Sequence, residues 1–244
     1  MKFRILHIGT ADSTNTRLKE WAAGRGGPGF PGTPAPYTAL WADTQSAGRG
    51  RVGRRFCSPE GGLYFSVYFP QDAPFDPGCL TPAAACAVCG ALEAFGIRGL
   101  RVKWVNDVYF LDRKICGILC EGIPQGSVCG IGVNLRTPEG GFPPEAGNAG
   151  APDGAVPDRE ALLLVILDRL DECLRPENRT ALLSRYRALQ YLTGRRVRCV
   201  TGNREIVGEA AGIAEDFSLL LRTDTGETVS VRSGEALLTR PAEE

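Results

Sequence analysis

The apolar positions of this chain change period several times, and each change marks an element. The run 4–9, "RILHIG", predicts a short strand. In "TADSTNTRLKEWAAG", Ser13, Thr14 and Asn15 are all helix-capping residue types, and Leu18, Trp21 and Ala22 fall on one helical face. A helix follows that Gly24 closes. Residues 24–36 are Gly/Pro-rich and predict a surface loop; "TALWADTQ" resumes as a strand. "GGLYFSVYFP" alternates, with Leu63, Phe65, Val67 and Phe69 on one side and Tyr64, Ser66 and Tyr68 on the other. That pattern predicts a strand covered on both faces. In "LTPAAACAVCGALEAFG", Thr81 is the expected cap, Pro82 the first helical residue, and Ala85, Val88, Cys89, Leu92 and Phe95 the buried stripe.

Three strands are predicted next, "LRVKWVNDVYFL", "KICGILCEG" and "SVCGIGVNL", with Asp112 and Arg113 turning between the first two. Residues 137–157 are low-complexity loop. "REALLLVILDRLDECL" places Leu163, Ile166, Leu167, Leu170 and Leu174 at helical spacing, and "TALLSRYRALQYL" predicts one more helix. After Gly194 the texture becomes "RRVRCV", "IVGEAAGIAE", "SLLLRT" and "TVSVRS". These are short strands split by Gly-Asn and Thr-Gly turns. The expected organisation is an α/β domain over 1–192 and a small all-β barrel over 193–244, without internal repeats.

Composition narrows this picture. A chain of 244 residues buries a full core without staples. Lys plus Arg and Asp plus Glu are 28 each, so the net charge is zero, which argues against a dedicated nucleic-acid binder. Nine cysteines, an odd count mostly within apolar runs, are expected as buried thiols in a reducing cytoplasm. "CAVC" has the spacing of a metal or redox pair but no matching second pair. The start reads as a strand and not a leader, and no run is expected to reach the ~18 apolar residues of a membrane span.

Against that neutral background "GRGRVGRRFCSP" (48–59) stands out. Glycines free backbone N–H groups to face an anion, and arginine forks clamp phosphates or carboxylates. A solvated basic turn and a nucleic-acid patch are the alternatives, the second weakened by the lack of interleaved aromatics. Two further motifs accompany the loop. "KWVND" (103–107) precedes Lys114, which opens an apolar strand, and "GIGVN" (130–134) ends another on two glycines and an Asn. Close approach of a flat ligand is one reason for glycine there.

The ordered set S-T-N, the Arg-Gly loop, K-W-x-N-D, R-K-x-x-G-I-L and G-I-G-x-N closely resembles the biotin protein ligase family. The likeness runs from about His7 to Asn134 and more weakly into the barrel, to "VSVRSGE". It implies an α+β fold, a mixed sheet with helices on one face as in class II aminoacyl-tRNA synthetases, followed by an SH3-like barrel. It implies an enzyme that makes biotinyl-5′-AMP from biotin and MgATP. That enzyme then passes biotin to a lysine of a biotin carboxyl carrier protein.

Carried over by position, Ser13, Thr14, Asn15, Gln45, Arg49, Gly50, Arg51, Lys114 and Gly117 would contact biotin. Arg51, Arg54, Phe56, Lys103, Trp104, Asn106, Asn134 and Arg232 would contact ATP or the adenylate. Asp107 would meet Mg²⁺, and Lys114 and Arg51 would carry the catalysis, with the Arg-Gly loop closing as a lid. Arg54 is expected to anchor the loop and Arg55 to sit on a solvated turn. Two positions depart from the family pattern: Val105 stands where Pro is usual and Phe56 where Trp is common. With nothing preceding the first strand, no DNA-binding module is expected; open sheet edges would admit homodimers or carrier docking by strand pairing, and the sequence does not decide between monomer and dimer. The rivals are a lipoate-type ligase of the same fold and a catalytically silent biotin sensor. The first would carry an R-x-x-G-G-G-x-x-x-H signature, and the single histidine, His7, lies in no such motif.

Overall fold

Strand β1 (Arg4–Ala11) and strand β2 (Thr38–Gln45) pair in parallel, joined by helix α1 (Thr14–Ala22). The computed structural model describes residues 1–150, 155–202 and 204–239. Of the three capping types in the sequence, Ser13 is the one that caps α1, its side chain accepting from the Thr16 amide. β3 (Leu63–Pro70), β7 (Gly126–Val133), β6 (Arg113–Ile123), β5 (Asp107–Phe110) and β4 (Arg101–Lys103) extend the sheet antiparallel, in the order β1-β2-β3-β7-β6-β5-β4.

The alternation of β3 explains the layering. Leu63, Phe65, Val67 and Phe69 join the main core with α2 (Leu80–Ala94), while Tyr68 joins a smaller cluster around Leu18 and Trp21 of α1. The mixed sheet is therefore backed by α2, α3 (Arg159–Leu174) and α4 (Arg179–Ala188) on one face, with α1 on the other. Eleven residues of α2 are buried because it lies between the sheet and α3, and small Ala and Cys side chains allow that close approach.

Several boundaries differ from the sequence reading. The predicted single strand over 100–111 is two, β4 and β5, broken where Trp104 turns inward and donates from Nε1 to the Phe217 carbonyl at 3.0 Å. α2 starts at Leu80, following a 3₁₀ turn (Pro77–Cys79) capped by Asp76, not at a Thr81 cap. The β5–β6 turn falls on Leu111 and Asp112, both at positive φ (49° and 58°), and Arg113 already belongs to β6. The stretch Pro77–Ala94 does meet the length and apolarity of a membrane span, with a mean hydropathy of 1.2. It is instead the core helix, with 67% of the stretch buried inside the fold. Six of the nine cysteines are buried as expected, Cys120 and Cys173 are half-buried, and Cys57 is exposed; burial pushes the Cys86 and Cys89 thiols up.

The predicted helix over 180–192 ends at Ala188; Leu189 to Tyr191 then pair with Val102, so the β4 edge of the sheet is covered. Beyond it, β8 (Arg196–Thr201), β9 (Arg204–Ile213), β10 (Leu219–Arg222), β11 (Thr228–Val231) and β12 (Glu235–Leu238) form an antiparallel five-stranded sheet, ordered β11-β10-β9-β8-β12. The sequence pattern predicts four of these strands; β12 is the one it does not show. Residues 151–154 of the low-complexity loop and Asn203 of the Gly-Asn turn lie outside the described residues.

Candidate active site

On the α1 face of the sheet a cleft enclosing about 970 Å³ of empty space opens between the Arg-Gly segment and strands β6 and β7. Its floor is made of glycine. Gly117 and Gly132 face each other across β6 and β7, and a Cβ on Gly132 would lie 2.5 Å from the Phe56 ring, one on Gly117 2.9 Å. The flat group seated on these glycines is thus the Phe56 side chain, which lines the cleft.

A chain of neutral polar groups runs along the opposite wall. The Gln45 side-chain oxygen accepts from the Thr14 amide at 2.9 Å, and Thr14 Oγ1 lies 2.7 Å from Ser66 Oγ. Ser66 donates to Asn15 Oδ1 at 2.6 Å, and Asn15 Nδ2 donates to Glu121 Oε2 and to the Leu119 carbonyl, each at 3.0 Å. Ser66 sits opposite Gly130 in the sheet, and a Cβ at Gly130 would come within 2.0 Å of Asn15 Oδ1. Gly130 is therefore the space in which Asn15 lies. Glu121 also receives Lys19 at 2.7 Å and Arg49 at 3.1 Å. Burial pushes its carboxyl up, but hydrogen bonds from Lys19 and Asn15 and the nearby cations outweigh that and hold it below the usual carboxylate value.

At the other end the charged groups converge. Lys114 Nζ is 2.8 Å from Asp107 Oδ1, which also accepts from Asn106 Nδ2 at 3.0 Å. Arg51 reaches over from the Arg-Gly segment to donate to Asn106 Oδ1 at 3.1 Å. Lys103 lines the same end, its pKa lowered by burial.

The Arg-Gly segment is a small hairpin. Gly50 donates to the Arg54 carbonyl, Phe56 to that of Gly48, and Arg49 bridges Arg55. Its tip, Val52, is 90% exposed and holds φ 53°, a left-handed conformation that is strained for a β-branched residue. The four arginines reach four different walls. Arg49 holds Glu121, Arg51 holds Asn106, Arg55 Nη2 donates to the Ser46 carbonyl, and Arg54 makes a two-bond fork to Glu235 of β12, both at 2.6 Å. Arg54 thus anchors the hairpin to the C-terminal sheet, and Arg55 is exposed, as expected of a solvated turn, with one hydrogen bond to the Ser46 carbonyl.

The cleft brings together Ser13, Thr14, Asn15, Gln45, Arg49, Gly50, Arg51, Arg54, Phe56, Lys103, Trp104, Asn106, Asp107, Lys114 and Gly117. Asn134 and Arg232 do not line it. Asn134 Nδ2 donates to the Gly147 carbonyl at 3.0 Å, its Oδ1 is buried without a partner, and its backbone pins residues 147–149 beside β6. Arg232 is 84% exposed, paired with Asp216 at 3.2 Å in a neighbouring cleft. Sequence reasoning missed Ser66, Glu121 and Glu235, and it read Gly130 as room for a ligand and not for Asn15. The signal for Ser66 was present: it is the one small polar residue between two tyrosines of an alternating strand. Glu121 is likewise the only acid in an apolar strand run.

This fold and cleft are those of protein ligases for small carboxylic acids. Residues 32–137 match the Biotin/lipoate A/B protein ligase family, and residues 192–238 match the Biotin protein ligase C terminal domain. The chain is 33% identical over 215 residues to the bifunctional ligase/repressor BirA of Salmonella typhimurium, covering 81% of this chain and 67% of BirA. It is 30% identical to the biotin–[acetyl-CoA-carboxylase] ligase of Mycobacterium tuberculosis, covering 94% of this chain and 87% of that protein. The biotin protein ligase of Aquifex aeolicus, solved with biotin and ATP, superposes with a TM-score of 0.80 at 30% identity, covering 97% of this chain and 99% of the other. The chain belongs to the biotin protein ligase family.

Proposed function

We propose that this cleft activates biotin as biotinyl-5′-AMP and transfers the biotinyl group to one lysine of a biotin carboxyl carrier protein. The observation that carries the reading is the division of the cleft. A neutral hydrogen-bonding wall (Thr14, Asn15, Gln45, Ser66) suits an uncharged ureido head, and the Lys114–Arg51–Asn106–Asp107 cluster suits the meeting of a carboxylate with a phosphate. In the first step a biotin carboxylate oxygen bonds to the α-phosphorus and pyrophosphate leaves. In the second the acceptor lysine amine bonds to the acyl carbon and AMP leaves. Two anions must approach in the first step, and Lys114 and Arg51 offset their repulsion from fixed positions. Ser13, Thr14, Asn15, Gln45, Arg49, Gly50 and Gly117 form the biotin side of the reading. Arg54, Phe56, Lys103, Trp104, Asn106, Asn134 and Arg232 form its nucleotide side, the last two from outside the cleft.

The carboxylate available for Mg²⁺ is Asp107, whose contacts with Lys114 and Asn106 both fall on Oδ1. Among the described residues no three His, Cys, Asp or Glu side chains are grouped to hold a metal ion. One protein carboxylate fits Mg²⁺ carried mainly by triphosphate oxygens. When bound, Mg²⁺ neutralises part of the triphosphate charge.

Residues 1–192 are the catalytic unit in this reading, and residues 193–244 a barrel that closes the cleft through Glu235. The protein works in the cytoplasm. Its neutral charge gives it no electrostatic footprint for DNA. A homodimer or a docked carrier would use the β1 edge, since the β4 edge is covered by Leu189 to Tyr191. Incubation with biotin, MgATP and a carrier domain should add one biotinyl mass to a single lysine, with lipoate ineffective. Equal labelling by lipoate, or none by biotin, would overturn the reading.

Gly130→Ala tests the neutral wall. Displacing Asn15 breaks its bonds to Ser66 and Glu121, so biotin KM should rise about tenfold, on the scale of one or two lost buried hydrogen bonds. The urea midpoint should fall as well, because Ser66 and Asn15 are buried and lose their partners. Saturation kinetics decide the point: an unchanged KM would mean Asn15 takes no part in binding.

A further inference from the structure

Glu121 lies outside every motif of the sequence reading, yet it joins two parts of the machinery. It is fixed on β6 opposite Val128 of β7, in the middle of the sheet. From there one carboxylate takes two contacts from Arg49 of the hairpin (Oε2 at 3.2 Å, Oε1 at 3.1 Å), one from Lys19 of α1 and one from Asn15 of the polar wall. The other arginine ties of the hairpin reach Asn106, a backbone carbonyl and the C-terminal sheet. Arg49 is the one tied to the same side chain that orients Asn15.

We propose that Glu121 is the catch for the Arg-Gly hairpin: a positioning residue that docks Arg49 across the mouth of the cleft and links hairpin closure to the placement of Asn15. Two cations share its charge, so neither Lys19 nor Arg49 is held by a private pair. The side chain is one-fifth exposed and Arg49 is 42% exposed, which places the pair between a surface ion pair and a buried one. A catch of that strength releases readily, as a lid that admits substrate requires. Glutamine at this position keeps an acceptor for Asn15 and removes the charge that holds Arg49.

The inference rests on the ligase reading for its kinetic arm only; its first arm needs no substrate. Limited trypsin digestion of the free full-length protein reports undocking of the hairpin, which carries four arginines. Glu121→Gln should raise the rate of cleavage within 49–55 about fivefold to tenfold, between the effects of exposed and buried charge pairs. Raising salt should speed cleavage more in the wild type than in the variant, which keeps only the Arg54–Glu235 fork as a hairpin ion pair. Lys19→Met, which removes the competing cation, should leave the hairpin at least as protected as in the wild type. In the second arm, Glu121→Gln should speed dissociation of biotinyl-5′-AMP by a similar factor. Arg49→Gln should do the same, and the double variant should be no faster than either single one. Wild-type cleavage in Glu121→Gln, equal opening in Lys19→Met, or additive effects in the double variant would each overturn the catch. Should Glu121→Gln fail to fold, the salt dependence of wild-type cleavage and its reduction in Arg49→Gln carry the same test. A protein with the trypsin response but no adenylate binding would sink the ligase reading and leave the catch standing.

Discussion

Replacing Lys114 by alanine is expected to slow adenylate formation by about 10²–10³-fold, the cost of removing one preorganised charge from a reacting centre. Lys114 is set by structure: it stands near the start of β6, its backbone N–H donates to the Glu145 carbonyl, and its ammonium sits between Asp107 and the face of Phe56, 6.0 Å from the ring centre. The variant leaves the Asp107 carboxylate without its cation, at the place where a carboxylate and a triphosphate must meet. The loss should therefore appear in single-turnover adenylate formation more than in biotin binding. The melting temperature should stay within a few degrees, because the Lys114 side chain is part of no apolar core. A wild-type turnover rate in Lys114→Ala would remove the electrostatic role assigned to it.

The second large effect concerns Arg51. In Arg51→Ala the hairpin loses its tie to Asn106, and the reacting end loses a guanidinium that contacts that end of the cleft. Escape of biotinyl-5′-AMP to solvent should rise about tenfold to a hundredfold, since a closed lid is what keeps water from a mixed anhydride. Measured with preformed adenylate, release should outpace transfer to the carrier, so free biotin accumulates. An unchanged release rate would mean that the hairpin does not act as a lid. Arg54 gives a useful contrast. It holds Glu235 of the C-terminal sheet, so its loss should loosen the hairpin through the barrel.

Much of this architecture was legible in the sequence because its elements are local patterns. The alternation of β3, the cap within 13–15 and the apolar stripe of α3 are each fixed by a few neighbouring residues, and each appears where the pattern put it. What was not legible depends on contacts distant in the chain. The break between β4 and β5 falls where Trp104 donates to the Phe217 carbonyl, 113 residues on, which no window of a dozen residues contains. The covering of the β4 edge by Leu189 to Tyr191 is of the same kind. In the site, residues carrying a motif were found and their supports were not. Asn15 was visible as part of S-T-N, whereas Ser66, Gly130 and Glu121, which hold it, belong to three other strands. The glycines of "GIGVN" were read as room for a ligand. In the structure Gly130 makes room for Asn15 and Gly132 for Phe56, so the same steric reason serves the protein's own side chains.

The central claim is that the cleft couples biotin to ATP through an adenylate. Its most direct test is isotope exchange between pyrophosphate and ATP catalysed by the purified, folded chain with Mg²⁺ and no carrier present. The account predicts exchange that depends on biotin, is not supported by lipoate, and falls by about 10²–10³-fold in Lys114→Ala. Exchange without biotin, exchange supported equally by lipoate, or none at all from folded protein would contradict it.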